Sequence, residues 1–190
     1  MSERTGRMCA MSDNEALLRR IEGDQDLVDL LTYPCDFDLR QRDPVEAVFL
    51  ESGMSLTPIA GDGAGGTYFL CGGVDGPVLY TDSEGGAALI AADLTEAVTL
   101  IAALPYWRDL DYGGTVEDAE ESWTEDDPDF AEYRAELLAR LGITPPPSDV
   151  LVARLRAALK RTAPDYQPKV RHDDAHGVYE ATYTVRFENL

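Results

Sequence analysis

The feature that most constrains the fold is a row of short apolar segments between residues 56 and 92. Gly- and Asp-rich turns separate these segments, and each is short enough to be a strand rather than a helix. Parallel strands need long crossover connections, so such short links require antiparallel neighbours. The sequence therefore predicts an antiparallel meander of four strands: Leu56–Ala60, Thr67–Cys71, Pro77–Thr81 and Ala87–Ala91.

Helical periodicity flanks this meander on both sides. Apolar residues recur at helical spacing from Asn14 to Leu31, and Gly23 is a candidate break in this first helix. The same spacing predicts four further helices, at 45–53, 94–104, 130–141 and from a capping Ser148 onwards. The helix at 94–104 has an apolar face that should lie on the sheet.

The last segment alternates apolar and polar residues from Val178 to Phe187, which predicts a half-buried strand. Two arrangements satisfy this pattern: an edge strand of the meander, or a strand that pairs with a second chain. Together the elements predict an α+β fold, with an antiparallel sheet of about four to six short strands, helices packed on one face and a C-terminal helical extension.

Three regions are expected along the chain. Residues 1–12 form a flexible tail, and residues 13–112 form an α+β domain. Residues 113–190 contribute an acidic segment, two helices and the last strand, packed on the same domain. The oligomeric state is not predicted.

The charge of the chain restricts the partners it can bind. There are 36 acidic and 16 basic residues, which gives a net charge of −20. Such a field repels phosphate backbones and anionic membrane surfaces, so we expect no binding to nucleic acid or membrane. It favours a basic protein partner, because opposite fields speed encounter. The alternative is that the charge serves only solubility.

The cysteines and the apolar content predict a cytoplasmic location. Cys9, Cys35 and Cys71 show no Cys-x-x-Cys spacing, so neither a disulfide framework nor a zinc site is indicated. Three unpaired thiols fit a reducing compartment. The first residues lack the apolar core of a secretion signal, and no run of about 18 apolar residues is present to span a bilayer.

Residues 61–66 contain the spacing Gly-x-Gly-x-x-Gly after a predicted strand. In a dinucleotide-binding loop this spacing leads into a helix, whose N-terminal N–H groups meet the pyrophosphate. Here a predicted strand follows instead. We therefore interpret the segment as a glycine-rich hairpin turn, and we expect the chain to bind no cofactor.

Two histidines lie in the segment His172–His176, with two aspartates between them. Histidines four residues apart suit a metal site on a helix, but Pro168 and Gly177 bracket this segment and the chain has no other histidine. We therefore predict a polar turn and no metal site. No poised pair of nucleophile and base is visible, so no catalytic residue is predicted and the chain is not expected to be an enzyme.

The most acidic part of the chain runs from Asp109 to Glu136, with twelve Asp or Glu residues against Arg134. One interpretation is a solvated face, either a helix or a mobile loop. The other is a docking surface for a basic partner, with Trp123 as its aromatic anchor. Trp123 could equally pin the segment to the core. The residues predicted to bind a partner are Asp109, Asp111, Glu117, Glu120, Glu121, Trp123, Glu125 and Asp126.

Three stretches between residues 54 and 110 combine into a recognisable pattern. Residues 56–70 form a strand, a Gly-Asp-x-x-Gly turn and an aromatic strand, 76–84 form a further strand and turn, and 91–97 begin a helix. This pattern resembles the SUKH superfamily. The family's usual Leu-Pro…Phe-Leu…Asn-Gly-Gly entry is absent before the first strand, and residues 113–190 lie outside the resemblance.

The resemblance implies a non-enzymatic binding domain over residues 13–112, and in particular a bacterial immunity protein that neutralises a toxin of a competition system. Such toxins are often nucleases with basic clefts, which a chain with net charge −20 could occupy as a polyanion mimic. Two alternatives stay open. One is a regulatory or scaffolding module, and the other is a small-ligand-binding or enzymatic domain that uses the glycine-rich turn.

Overall fold

The computed structural model describes residues 11–174, 177–187 and 190. These residues form six α-helices, one 3₁₀ helix and eight strands in two sheets, which confirms the α+β prediction. Most of the predicted tail lies outside the described residues, but Ser12 caps the first helix by accepting the N–H of Glu15. Within the described residues, no helix combines the length and apolarity that a membrane crossing requires.

The predicted N-terminal helix is divided at Gly23 into α1 and α2, as its sequence suggested. Asp24 begins α2 by accepting two early N–H groups, and its counterpart Asp93 begins α3 by accepting the N–H of Glu96. The sixth helix begins at Ser148 itself and follows Pro147, whereas a serine cap was expected. The α-helices are α1 Asp13–Glu22, α2 Gln25–Thr32, α3 Leu94–Ala103, α4 Val116–Asp126, α5 Phe130–Leu141 and α6 Ser148–Leu159.

The larger sheet is the predicted meander with one added strand. Its order is β2-β3-β4-β5-β8, and the first four strands pair antiparallel in sequence order. The added strand β8 pairs with β5 in parallel. The strands of this sheet are β2 Leu56–Gly61, β3 Thr67–Cys71, β4 Val78–Thr81, β5 Gly86–Ala91 and β8 Thr184–Val185.

A second sheet of order β1-β6-β7 corrects two predictions. Residues expected to form a helix at 45–53 form the short strand β1, Val48–Phe49, because its backbone pairs with Val170 and Lys169 of β6. The expected polar turn around His172 is instead the end of β6, Lys169–Asp174, which forms a hairpin with β7, Gly177–Thr182. His176 lies outside the described residues.

The predicted strand at 178–187 is divided at Tyr183. The Tyr183 N–H donates to the Pro168 carbonyl at 2.9 Å, while the N–H of the next residue, Thr184, donates to the carbonyl of Gly85, which directly precedes β5 of the larger sheet. The Tyr183 side chain is buried between the sheets. Both parts of the segment therefore pair within the chain, one part in each sheet.

The larger sheet is covered on both faces. Its first face carries the side chains of Tyr68, Tyr80 and Ile90, which belong to the main core together with apolar residues of the helices. Helix α4 adds only half-buried side chains to this core. The opposite face carries Phe69 and Leu89, which pack against the second sheet. Helices thus cover one face, as predicted, while the small sheet on the other face was not anticipated.

Candidate protein-binding site

The acidic segment forms the helix α4 because its N-terminus is well capped. Thr115 and Asp118 make a capping box, in which the Thr115 hydroxyl accepts the Asp118 N–H and the Asp118 carboxylate accepts the Thr115 N–H, both at 3.1 Å. The Thr115 hydroxyl also donates to the Asp118 carboxylate at 2.7 Å, and this bond, together with that from the Thr115 N–H, lowers the pKa of Asp118. The helix ends at Asp126, two residues before Pro128. None of its residues is buried, so the whole outer surface of α4 meets solvent.

Three glutamates form a row of like charge along α4. Glu117, Glu121 and Glu125 are exposed and spaced four residues apart, so they lie above one another on one face. Within the described residues, none of the three takes part in an ion pair. We call this row the acidic ridge. Like charges at this spacing destabilise a helix, so the ridge weakens the helix that carries it.

The C-terminal end of α4 adds to this unfavourable charge. Its last turn contains Glu125 and Asp126 and no basic residue. Negative charge near a helix C-terminus is unfavourable, because the last carbonyl groups already carry a partial negative charge. A positively charged ligand would relieve both effects.

Trp123 holds α4 against the rest of the domain. Its indole N–H donates to the Asp109 carboxylate at 2.8 Å, and its half-buried ring packs against Phe130 and Tyr106, at centroid distances of 5.4 and 6.4 Å. Of the two roles considered for Trp123, the structure shows the pinning contact. Trp123 is therefore one of the side chains that fix the position of the acidic ridge.

Two other predicted site residues are occupied by internal contacts. Glu120 accepts hydrogen bonds from Arg134 at 2.6 Å and from the Tyr106 hydroxyl at 2.8 Å. The bond from Arg134 lowers the pKa of Glu120 although burial opposes the shift. Asp111 accepts from Arg186 Nε at 2.7 Å and from the backbone N–H of Phe187 at 2.6 Å.

The eight predicted residues therefore divide into two groups. Members of the first group are engaged with other parts of the fold, and they are Asp109, Asp111, Glu120 and Trp123. Members of the second group lie exposed on α4 with no ion pair in the described part of the chain, and they are Glu117, Glu121, Glu125 and Asp126. The second group is the surface available to a partner.

Two arginines that sequence reasoning did not single out lie in a cleft that Asp109 and Tyr112 also line. Arg108 bridges Asp36 at 2.6 Å and Asp62 at 2.5 Å. Arg186 bridges Asp111 at 2.7 Å and Asp82 at 3.2 Å. We call the space between them, of about 250 Å³, the paired-arginine cleft. Each guanidinium is already held between two carboxylates, so neither is free to bind an added anion.

The aspartates at the base of the cleft occupy equivalent positions in two hairpin turns. Asp62 accepts the N–H groups of the residues two and four positions later, and Asp82 does the same. The fourth residue must be glycine, because a Cβ at Gly66 or Gly86 would lie 2.5 or 2.3 Å from the aspartate oxygen. The sequence pattern that marks both turns is Asp-x-x-Gly-Gly, which occurs at 62–66 and again at 82–86.

The glycine-rich turn is closed by its own aspartate. Asp62 is only 1 % exposed and also accepts the Tyr80 hydroxyl at 2.7 Å. The N–H groups of Gly63, Ala64 and Gly66 donate to Asp36 or Asp62, and β3 follows the turn. The hairpin interpretation is confirmed, and the amides that a phosphate would need are already in use.

The described thiols and histidine show no arrangement for nucleophilic chemistry. Cys35 and Cys71 are buried, and burial raises the pKa of both thiols, that of Cys71 to about 12. The His172 ring packs against Tyr179 at a tilt of 32°, with ring centroids 4.9 Å apart. In the parts of the chain that the structure describes, no three His, Cys, Asp or Glu residues converge as metal ligands would.

Comparisons with known proteins do not identify the chain. No protein-family model, no curated protein and no solved structure matches it. The similarity of residues 54–110 to the SUKH superfamily therefore stays a prediction. The acidic ridge on α4 is the surface on which a functional proposal can be based.

Proposed function

We propose that the chain is a non-catalytic protein-binding domain that docks a basic protein on the acidic ridge of α4. The observation that carries this proposal is the exposed row of Glu117, Glu121 and Glu125, for which the described residues supply no cation. A partner with lysines or arginines at matching spacing would convert three repelling groups into attractive contacts. The net charge of −20 would also steer such a partner during encounter.

The residues around the ridge include an exposed aromatic side chain, which a purely charged surface lacks. Tyr112, at the end of the 3₁₀ helix Trp107–Tyr112, is 81 % exposed and lies three residues before the cap of α4. Exposed tyrosines are enriched at protein interfaces, because the ring gives contact area at little entropic cost. We assign Tyr112 the role of aromatic contact, since Trp123 is engaged with the fold.

The class of partner that we propose is a toxin of a bacterial competition system, neutralised by this chain as an immunity protein in the cytoplasm. Support comes from the resemblance over residues 54–110 and from the charge, which complements the basic cleft of a nuclease. The same charge disfavours binding to nucleic acid or membranes. A regulatory or scaffolding module would use the same surface and differ only in the identity of its partner.

Absence of catalysis is part of the proposal. The buried thiols of Cys35 and Cys71 stay protonated at neutral pH, so neither can act as a nucleophile. The glycine-rich turn has its amides engaged by Asp36 and Asp62. Both features support a binding role over the enzymatic and small-ligand alternatives.

The experiment that tests this proposal compares the native chain with a variant in which Glu117, Glu121 and Glu125 are all glutamine. Each form is used to capture partners from the producing organism, and captured proteins are identified by mass spectrometry. We expect a basic protein that the native chain retains and the variant loses. Equal recovery by both forms would refute docking on the ridge. A partner without toxin activity would refute the immunity role alone.

A further inference from the structure

The second sheet has a strand edge that no other strand of the described chain covers. β7 pairs with β6 on one side only, and their antiparallel register is unbroken. The same register continues to Tyr183, whose N–H bonds to Pro168. Hydrogen-bonded and non-bonded pairs alternate along such a ladder, so the backbone N–H and C=O groups of Val178, Glu180 and Thr182 point away from β6.

The side chains of β7 leave this edge open. Val178 is 65 % exposed, and Glu180 and Thr182 on the same face are exposed as well. On the other face Tyr179 packs against His172 and is itself 49 % exposed. The backbone groups of the edge are therefore accessible to a ligand.

The other strand edges of the two sheets are protected in ways that β7 is not. β2 carries Pro58 and an irregularity in its register, and both disrupt strand pairing. β1 and β8 have two residues each, too few to bind a strand in register. β7 has six residues, no proline and no irregularity, and its one charged residue, Glu180, is paired with Arg171 at 2.7 Å. Natural sheets usually protect edges of this length.

The chemistry of this edge determines the kind of ligand. Alternating N–H and C=O groups are complemented by another extended backbone. Two sources are conceivable, a second copy of the chain or a segment of another protein. Two copies with net charge −20 repel each other. A groove of about 360 Å³ at β7 has Glu46 and Glu84 as its acidic lining residues, His172 beside them and no lysine or arginine among its described lining, so a cationic segment is favoured.

We propose that the free edge of β7 binds an extended, positively charged segment of the partner, which adds a strand to the small sheet. This inference rests on the proposed function for the basic character of the partner. Ser83 and Glu84 line both this groove and the paired-arginine cleft, and the cleft also reaches Asp109 and Tyr112. The groove at β7 and the paired-arginine cleft are therefore adjacent.

The test uses the whole chain and two synthetic peptides of about ten alternating lysine and valine residues. The peptides have the same charge, but one is N-methylated at residues whose N–H groups face each of its two edges, so neither edge can pair as a strand. Affinity is measured by fluorescence anisotropy, and amide hydrogen exchange is followed at Val178, Glu180 and Thr182. We expect methylation to weaken binding about tenfold or more, since several hydrogen bonds are lost. The three amides should gain protection with the unmethylated peptide only.

Several results would overturn the inference. These are equal affinity of the two peptides, no gain in protection at the three amides, or protection that arises without peptide together with the mass of a dimer. Partner capture with the variant in which Glu117, Glu121 and Glu125 are replaced by glutamine separates this proposal from docking on the acidic ridge. If methylation weakens peptide binding while this variant retains the partner as well as the native chain does, the edge proposal stands and docking on the ridge is refuted.

Discussion

Replacing Glu121 with glutamine should make the protein more stable. Glu121 is the middle member of the acidic ridge, so one substitution removes its repulsion with both Glu117 and Glu125. Each like-charge pair costs about 0.2–0.5 kcal/mol in a helix, and glutamate and glutamine have similar helix propensities. The free energy of unfolding should therefore rise by about 0.4–1 kcal/mol at low salt, which corresponds to about 1–4 °C in Tm for a chain of this size.

The assay is thermal and urea unfolding at about 0.01 M and about 1 M salt, where the screening length falls from about 30 Å to about 3 Å. The gain should shrink at high salt. The matched control is Glu15→Gln on α1, because Glu15 pairs with Arg19 at the same four-residue spacing and lies in the first turn. The control should lose stability where Glu121→Gln gains it. The repulsion between Glu121 and its two neighbours, on which the proposed docking is based, would be refuted by either of two results. One is a loss of stability in Glu121→Gln at low salt, and the other is a gain of the same size at both salt concentrations.

Three further predictions concern the contacts that hold the surface in place. Gly66→Ala should lower the free energy of urea unfolding by about 1–3 kcal/mol, because the added Cβ would overlap a carboxylate oxygen of the buried Asp62. Its control is Gly114→Ala, whose Cβ meets nothing within 4 Å and which should change stability by less than about 0.5 kcal/mol. Arg108→Met leaves the fully buried carboxylate of Asp62 without its cation, so the free energy of unfolding should fall by about 3–5 kcal/mol, or about 6–20 °C in Tm. A loss below about 1 kcal/mol would contradict the importance of this buried ion pair. The hydrogen bond from Arg134 lowers the pKa of Glu120 in the folded protein, although burial opposes the shift. The ionised Glu120 therefore contributes its full stabilisation to the folded state above pH 4.5, the ordinary pKa, and this stabilisation disappears as pH falls through the lower pKa of the folded state. The stability difference between the native chain and Glu120→Gln, measured by urea unfolding from pH 3 to 7, should therefore be constant above about pH 5 and shrink below 4.5, and a difference that grows on acidification would contradict this sign.

Local patterns predicted the elements whose contacts are local. The meander at 56–91 follows from turn residues and short apolar runs, and helices α1, α2, α3 and α5 follow from apolar residues at helical spacing. The acidic ridge was accessible in the same way, since a four-residue spacing of glutamates can be seen directly in the sequence. These features depend on neighbours within one turn of helix or one hairpin.

The features that the sequence did not reveal depend on distant residues. β6 has the sequence Lys-Val-Arg-His-Asp-Asp, with a single apolar side chain, and it becomes a strand because β1 and β7 pair with its two edges. The ion pair of Asp111 with Arg186 joins residues 75 positions apart. No local pattern indicates that Asp111 is engaged in the fold while Glu117, six residues later, is not.

The most direct test of docking on the acidic ridge is the association rate of the identified partner as a function of ionic strength. The native chain and the variant with Glu117, Glu121 and Glu125 changed to glutamine are compared by stopped flow from about 0.02 to 0.5 M salt. The proposal predicts a native rate that falls at least tenfold over this range, and a variant rate that is lower at low salt and falls less steeply. Identical rates and identical salt dependence for the two proteins would contradict it.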